Sequence, residues 1–168
     1  MEGDPRMLTD GLILRLDDPA KWSRVSDTIA WGRAFVGARQ LDALAIAGLF
    51  SGTSTPQEVA ALAMTMTGHY AVVCDSKTRG YALVDPTRSK PLFFAEDSYS
   101  CVVSDSPRLA LQAPVCTPPV RDALIDFAYC GYVTGTNTLF GGVQQIPGGT
   151  VLYPVSYTHL TLPTILRV

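Results

Sequence analysis

Residues Gly68–Asp105 read GHYAVVCDSKTRGYALVDPTRSKPLFFAEDSYSCVVSD. Four short apolar runs lie inside this stretch: Tyr70–Cys74, Tyr81–Val84, Leu92–Ala95 and Tyr99–Val103. Their β-branched and aromatic residues suit a pleated, half-buried surface, and turn formers bound each run, so the stretch predicts four consecutive antiparallel strands. Ser76-Lys77-Thr78-Arg79-Gly80 makes the first connection and Glu96-Asp97-Ser98 the third, with a polar corner, Asp85-Pro86-Thr87-Arg88-Ser89-Lys90-Pro91, between them. In an extended chain successive side chains alternate faces, so Ala71 and Val73 point one way and Tyr70, Val72 and Cys74 the other. A strand apolar on both faces needs cover on both, which predicts a layered α+β domain.

The flanking sequence supplies that cover. Leu12–Leu16 reads as a strand closed by Asp17-Asp18-Pro19, and Thr28–Val36 as a second, with Gly32 marking a bulge or a close backbone approach. Gln40–Phe50 predicts a helix with Leu41, Leu44, Ala45 and Leu49 on its apolar face. The next helix has the clearest start: Thr55 as N-cap, Pro56 at the first helical position, and Glu58 as capping-box partner. Val59, Leu62, Ala63 and Met66 line its face, Met64 and Met66 read as core, and Gly68 reads as its stop. Downstream, Ser106–Gln112 predicts a short helix. A longer one follows Thr117-Pro118-Pro119, with Val120, Leu124 and Phe127 on one side. Gly131–Gly142 reads as loop, and Thr150–Tyr153 begins another strand.

Two stretches carry a family pattern. Gly68, Tyr70, Ala71, Asp85, Arg88, Lys90, Pro91, Leu92, Phe93 and Phe94 match a D-G-M-F-A-F, hairpin, D-R-x-G-x-K-P-L-Y-Y arrangement. Gly131-Tyr132-Val133 and Thr138–Gly149 follow G-Y-V-x-x-x-x-T-(I/L)-F-x-G-(V/I)-x-x-(L/I)-P-x-G. On these motifs residues 68–153 resemble the glutaminase domain of the asparagine synthetase family, a class II glutamine amidotransferase with the N-terminal-nucleophile (Ntn) hydrolase fold; Trp31–Phe50 resembles it only weakly. The resemblance implies a four-layer α-β-β-α sandwich of antiparallel sheets, here incomplete, spanning residues 1–153.

Composition sets outer limits. The 168 residues suit one domain with a sizeable core. Lys and Arg number 13 against 15 Asp and Glu, a net charge of −2, so the chain has no basic field for nucleic acid. Two histidines and four scattered cysteines (Cys74, Cys101, Cys116, Cys130) lack the spacing of a metal site. Cys74 and Cys101 read as buried thiols in strands, with a disulfide between them left open. Met1–Asp10 is polar, without a leader's apolar region, and no run reaches the roughly 18 apolar residues of a membrane helix. The expectation is a cytoplasmic domain that contacts neither membrane nor nucleic acid.

Residues 154–168 are set aside from the fold. Pro154-Val155-Ser156-Tyr157-Thr158-His159-Leu160-Thr161-Leu162-Pro163-Thr164 matches, codon by codon, an in-frame translation of a sequencing-library transposon adapter. The expectation is a native chain cut near Tyr153, with His159 carrying no functional weight.

The resemblance also says where chemistry belongs. In that family an N-terminal cysteine attacks the glutamine side-chain amide, with its own α-amine as base. Here position 2 is Glu2, and no cysteine precedes Cys74. A thiol within a strand has no free α-amine, so the expected catalytic set is empty. The family's N-G-E, which binds glutamine and builds the oxyanion hole, aligns with Val36-Gly37-Ala38, and its amine-binding aspartate with Thr67. Gly37, Thr67 and Gly68 are thus the candidate substrate-binding positions of a degenerate glutamine site.

The reading that follows is the N-terminal domain of an asparagine-synthetase-type, ATP-dependent amide-forming protein, with no cofactor of its own. ATP and magnesium are implied for a missing C-terminal synthetase domain, its expected partner, and a homodimer stays open. The chain has no Ser-Gly-Gly-x-Asp-Ser pyrophosphate loop. Two rivals remain: a working glutamine-hydrolysing asparagine synthetase of asparagine biosynthesis whose N-terminus is miscalled, and a stand-alone binding module. Asp85, Arg88 and Lys90 support the site or contact the synthetase domain on one reading. On the favoured one they form a solvated corner, with Asp85 accepting loop N–H groups and Arg88 pairing at the surface. Thr134, Thr136, Asn137 and Thr138 likewise divide between partner contact and ordinary turn chemistry.

Overall fold

A computed structural model describes residues 12–76, 79–96, 100–111 and 118–154. Outside them fall the readings on Met1–Asp10, Lys77-Thr78, Asp97-Ser98-Tyr99, Gln112, Cys116, Thr117 and residues 155–168.

The described chain opens with strand β1 (Leu12–Arg15) and a single 3-10 turn (Pro19–Lys21) whose Ala20 N–H donates to the Asp18 carboxylate. Strands β2 (Ser23–Val25), β3 (Thr28–Val36) and β4 (Arg39–Leu41) lead into helix α1 (Ala43–Ser51). Helix α2 (Pro56–Thr65) runs directly into β5 (Met66–Cys74), which turns back as β6 (Tyr81–Val84). A hairpin of β7 (Phe93–Glu96) and β8 (Cys101–Ser104) follows, then the short α3 (Pro107–Ala110) and α4 (Arg121–Cys130). Strands β9 (Gln144–Gln145) and β10 (Val151–Leu152) end the described chain.

Two sheets form. One runs β10-β6-β5-β3-β2, with β4 also paired to β3; the other runs β1-β8-β7-β9. The four apolar runs therefore split between sheets: β5–β6 is an antiparallel hairpin in one and β7–β8 an antiparallel hairpin in the other. The polar corner from Asp85 to Pro91 is the crossover. The β1-β8-β7-β9 sheet is mixed rather than wholly antiparallel, because β1 lies parallel to β8, Leu12 opposite Cys101 through Arg15 opposite Ser104; the pairings of the other sheet are antiparallel. The chain is thus a mixed α+β fold.

The alternation in β5 is realised residue by residue. Tyr70, Val72 and Cys74 join a buried cluster with Ile46, Ala47 and Phe50 of α1 and Val59 and Ala63 of α2. Ala71 and Val73 join another with Leu12, Phe94, Cys101 and Val103 of the second sheet. Cys74 and Cys101 sit in different clusters and are free thiols. Each large aliphatic side chain buried this way contributes about 1.5–3 kcal/mol relative to leaving it exposed.

Several local expectations shift. Helix α1 starts after Asp42, whose carboxylate accepts the Ala45 N–H at 2.8 Å, so Leu41 ends β4 instead of opening the helix. The buried face is Ile46, Ala47 and Phe50, while Leu44 and Leu49 are 55% and 41% exposed. The helix is apolar nearly all round, so its pattern could not choose a face; packing against β3 and β5 did. The capping box of α2 is present in full, with Thr55 and Glu58 exchanging hydrogen bonds. Its end differs: the chain turns extended at Met66, and Gly68 lies inside β5. Met66 is buried core, Met64 is exposed, and in α4 only Ala123 is buried while Val120, Leu124 and Phe127 face outward.

Gly32 and Gly68 mark where β3 and β5 come closest. Gly32 has φ +110, and a Cβ there would stand 2.0 Å from the His69 carbonyl oxygen; at Gly68, φ +137, it would stand 2.6 Å from that of Arg33. No side chain fits either place.

Candidate functional site: a basic hollow over Trp31

The nine-residue ladder between β3 and β5 sets Arg33 opposite His69 and Trp31 opposite Ala71. Alternation places Trp31 and Arg33 on the face of β3 away from the helices, because Ala30 and Ala34 belong to the helix-side cluster. The 3-10 turn brings Lys21 to this face and the crossover brings Lys90. The Lys90 ammonium lies 4.5 Å from the Trp31 ring centroid, and that of Lys21 lies 5.5 Å from it. Trp22 packs at a tilt against the same ring, centroids 5.8 Å apart. Lys21, Trp31, Arg33, His69 and Lys90, together with Asp42 and Leu44 at the start of α1, line an open hollow of about 530 Å3.

Basic side chains outnumber acidic ones in the hollow, where Lys21, Arg33 and Lys90 stand with the single carboxylate of Asp42. Lys21 pairs with Asp18 at 3.3 Å, both groups about half exposed. Among the described residues the side chains of Arg33 and His69 have no hydrogen-bond or ion-pair partner, and Lys90 lies over the Trp31 ring face. An ammonium over an indole face is stabilised by about 0.5–1 kcal/mol without being neutralised.

The predicted positions lie beside this hollow without lining it. Thr67 is exposed opposite Phe35, Gly68 is opposite Ala34, and Gly37 (φ +58) forms the turn between β3 and β4. Sequence alignment and strand register thus gather all three at one end of the β3–β5 pair. Val36, aligned with the family's side-chain donor, instead packs against the helix-side cluster. Burial raises the thiol pKa of Cys74 and that of Cys101, so neither presents a thiolate; Cys130 is exposed at the end of α4.

Asp85 is central to the crossover, and it is fully buried rather than solvated. Its Oδ1 accepts the Thr87 N–H at 2.9 Å and hydroxyl at 2.5 Å. Its Oδ2 accepts the Ser89 N–H at 3.0 Å, the Ser89 hydroxyl at 2.6 Å and the Tyr70 N–H at 3.3 Å. Burial alone would push this carboxyl's pKa up, but the Ser89 and Thr87 donors outweigh it and hold the pKa below the ordinary value.

Arg88 requires a second correction. It stands where D-R-x-G-x-K-P has its glycine, three residues after the aspartate, and its φ is +51, the conformation glycine favours. Its side chain makes no ion pair among the described residues.

The loop after α4 is internal turn chemistry. Thr134 donates through its N–H and hydroxyl to Asp126, and Thr138 bonds to Phe140 and Val143.

Sequence reading missed Lys21, Arg33 and His69. The available signal was Trp31 and Arg33 two apart in one strand; pairing them with His69 needed the β3–β5 register. Among the described residues no group of His, Cys, Asp and Glu is placed to hold a metal, and no helix is long and apolar enough to cross a membrane. Comparison with protein-family models gives no match, and comparison with curated proteins gives none either.

Proposed function

We propose that this chain is the N-terminal glutaminase-like domain of an asparagine-synthetase-type, ATP-dependent amide-forming protein, with a degenerate glutamine site and no hydrolysis of its own. The observation that carries this reading is that the two motif-bearing stretches interlock. Gly149 donates its N–H to the Asp85 carbonyl at 3.0 Å, Ile146 donates to Leu92 at 2.9 Å, and β9 pairs with β7. Gly148 presses on the same corner, where a Cβ would stand 2.4 Å from the Pro86 carbonyl oxygen. Residues matched to one family pattern thus build one structural unit. The two-sided burial of β5 supports the layered α-β-β-α arrangement that the pattern implies.

Two features support an inactive glutamine site. The sequence places Val36 and Thr67 where the family has an amide donor and a carboxylate. The buried thiols of Cys74 and Cys101 cannot replace an N-terminal nucleophile. The outward apolar face of α4, with Leu124, Ile125, Phe127 and Tyr129 exposed, supports a second domain that covers it.

The test is ammonia release from glutamine by the purified protein, with and without thiol alkylation. None above the buffer rate is expected; alkylation-sensitive release would overturn the reading in favour of a hydrolysing synthetase. Sequencing the gene across both ends gives a second arm. A frame running past Tyr153 into Ser-Gly-Gly-x-Asp-Ser supports the proposal, and a native stop there supports a stand-alone module instead.

A further inference from the structure

We infer that the hollow over Trp31 is a binding site for a small oxyanion, a molecule carrying carboxylate or phosphate groups. This goes beyond the amide-synthetase reading and does not depend on it.

The chain is acidic overall, yet the cations Lys21, Arg33 and Lys90 converge on one hollow, with the His69 ring as a further polar lining group. Its one acidic lining residue, Asp42, is committed to the start of α1 through the Ala45 N–H at 2.8 Å. Lys21 is paired with Asp18, but Arg33 and Lys90 make no ion pair among the described residues; two such cations repel one another, and an anion that bridges them removes that cost. The Lys90 ammonium sits 4.5 Å over the Trp31 ring, which attracts it without neutralising its charge. Arg33 adds the planar fork that matches a carboxylate or phosphate edge. A volume of about 530 Å3 suits a small organic acid or phosphate ester. An amino acid fits less well, because its ammonium would face Lys21, Arg33 and Lys90.

Calorimetric titration at fixed ionic strength, with inorganic phosphate and with citrate, tests the site. Saturable binding of at least one anion is expected, weakened tenfold or more in Lys90→Ala and in Arg33→Ala and retained in Lys90→Arg. Both alanine variants alter partly or fully exposed side chains, and circular dichroism checks that they fold; Lys21→Ala provides a third variant on the exposed 3-10 turn. Absence of saturable heat with both anions, or unchanged affinity in all three alanine variants, overturns the inference. L-Glutamine titrated in parallel separates the two proposals. Tighter binding than either anion would overturn the oxyanion site, whereas ammonia release alone decides the inactive-glutaminase reading.

Discussion

Gly149 donates its backbone N–H to the carbonyl of Asp85 at 3.0 Å, and the Asp85 carboxylate gathers Thr87, Ser89 and the Tyr70 N–H on its other side. One buried residue therefore holds the end of β6, the crossover between sheets and the segment before β10. A solvated corner would tolerate substitution. This one has little tolerance, since donors are aimed at both carboxylate oxygens and an uncharged replacement leaves those on one side without their acceptor.

Asp85→Asn is expected to destabilise the fold by about 3 kcal/mol in urea unfolding at neutral pH, because the amide presents N–H groups to the Thr87 or Ser89 donors. The effect depends on pH with a definite sign. The folded-state pKa lies below the ordinary value of 3.8, so the carboxylate's contribution is complete above that value and fades as pH falls through the folded pKa. The gap between wild type and Asp85→Asn should narrow in acid. A gap that is constant or widens below pH 4 would contradict the assignment.

Arg88→Gly should stabilise the protein by about 0.5–1 kcal/mol. A non-glycine residue at φ +51 carries roughly 1–2 kcal/mol of steric strain, partly offset by the greater freedom glycine has when unfolded. The Arg88 N–H to Asp85 carbonyl bond, 2.9 Å, is unaffected by the change. An equal or lower denaturation midpoint would mean that the Arg88 side chain makes a compensating interaction.

Gly32→Ala and Gly68→Ala should prevent normal folding, since the added methyl meets backbone of the paired strand and neither φ suits alanine. Gly48→Ala is the control. Gly48 is exposed within α1 with open space around it, and helix propensity predicts a gain of about 0.8–1 kcal/mol. Soluble yield and thermal melting would show the contrast. Equal tolerance at all three positions would refute the close approach of β3 and β5.

Alkylation under native conditions should label Cys130 and spare Cys74 and Cys101. Burial disfavours the thiolate at both protected sites, so their labelling should follow unfolding. Mass spectrometry of peptides from an iodoacetamide time course would resolve the sites. Rapid native labelling of Cys74 would mean that the helix-side cluster opens readily.

The sequence by itself determined the elements whose causes are local. Thr55, Pro56 and Glu58 start α2 through contacts within one turn, and the two-residue period of β5 assigns each side chain to a face before any partner is known. Tyr81–Val84 and Thr28–Val36 were legible for the same reason. Where local signals were uniform, only the tertiary structure could decide. The apolar α1 had no preferred face until β3 and β5 packed against Ile46 and Phe50, and two-residue strands such as Gln144–Gln145 carry too little pattern to read. The division of four apolar runs between two sheets turns on Asp85, whose burial depends on Gly149 arriving from a distant stretch. The hollow over Trp31 is likewise a tertiary product: Lys21, Arg33, His69 and Lys90 are scattered in sequence, β3–β5 pairing sets Arg33 beside His69, and the 3-10 turn and the crossover bring in Lys21 and Lys90.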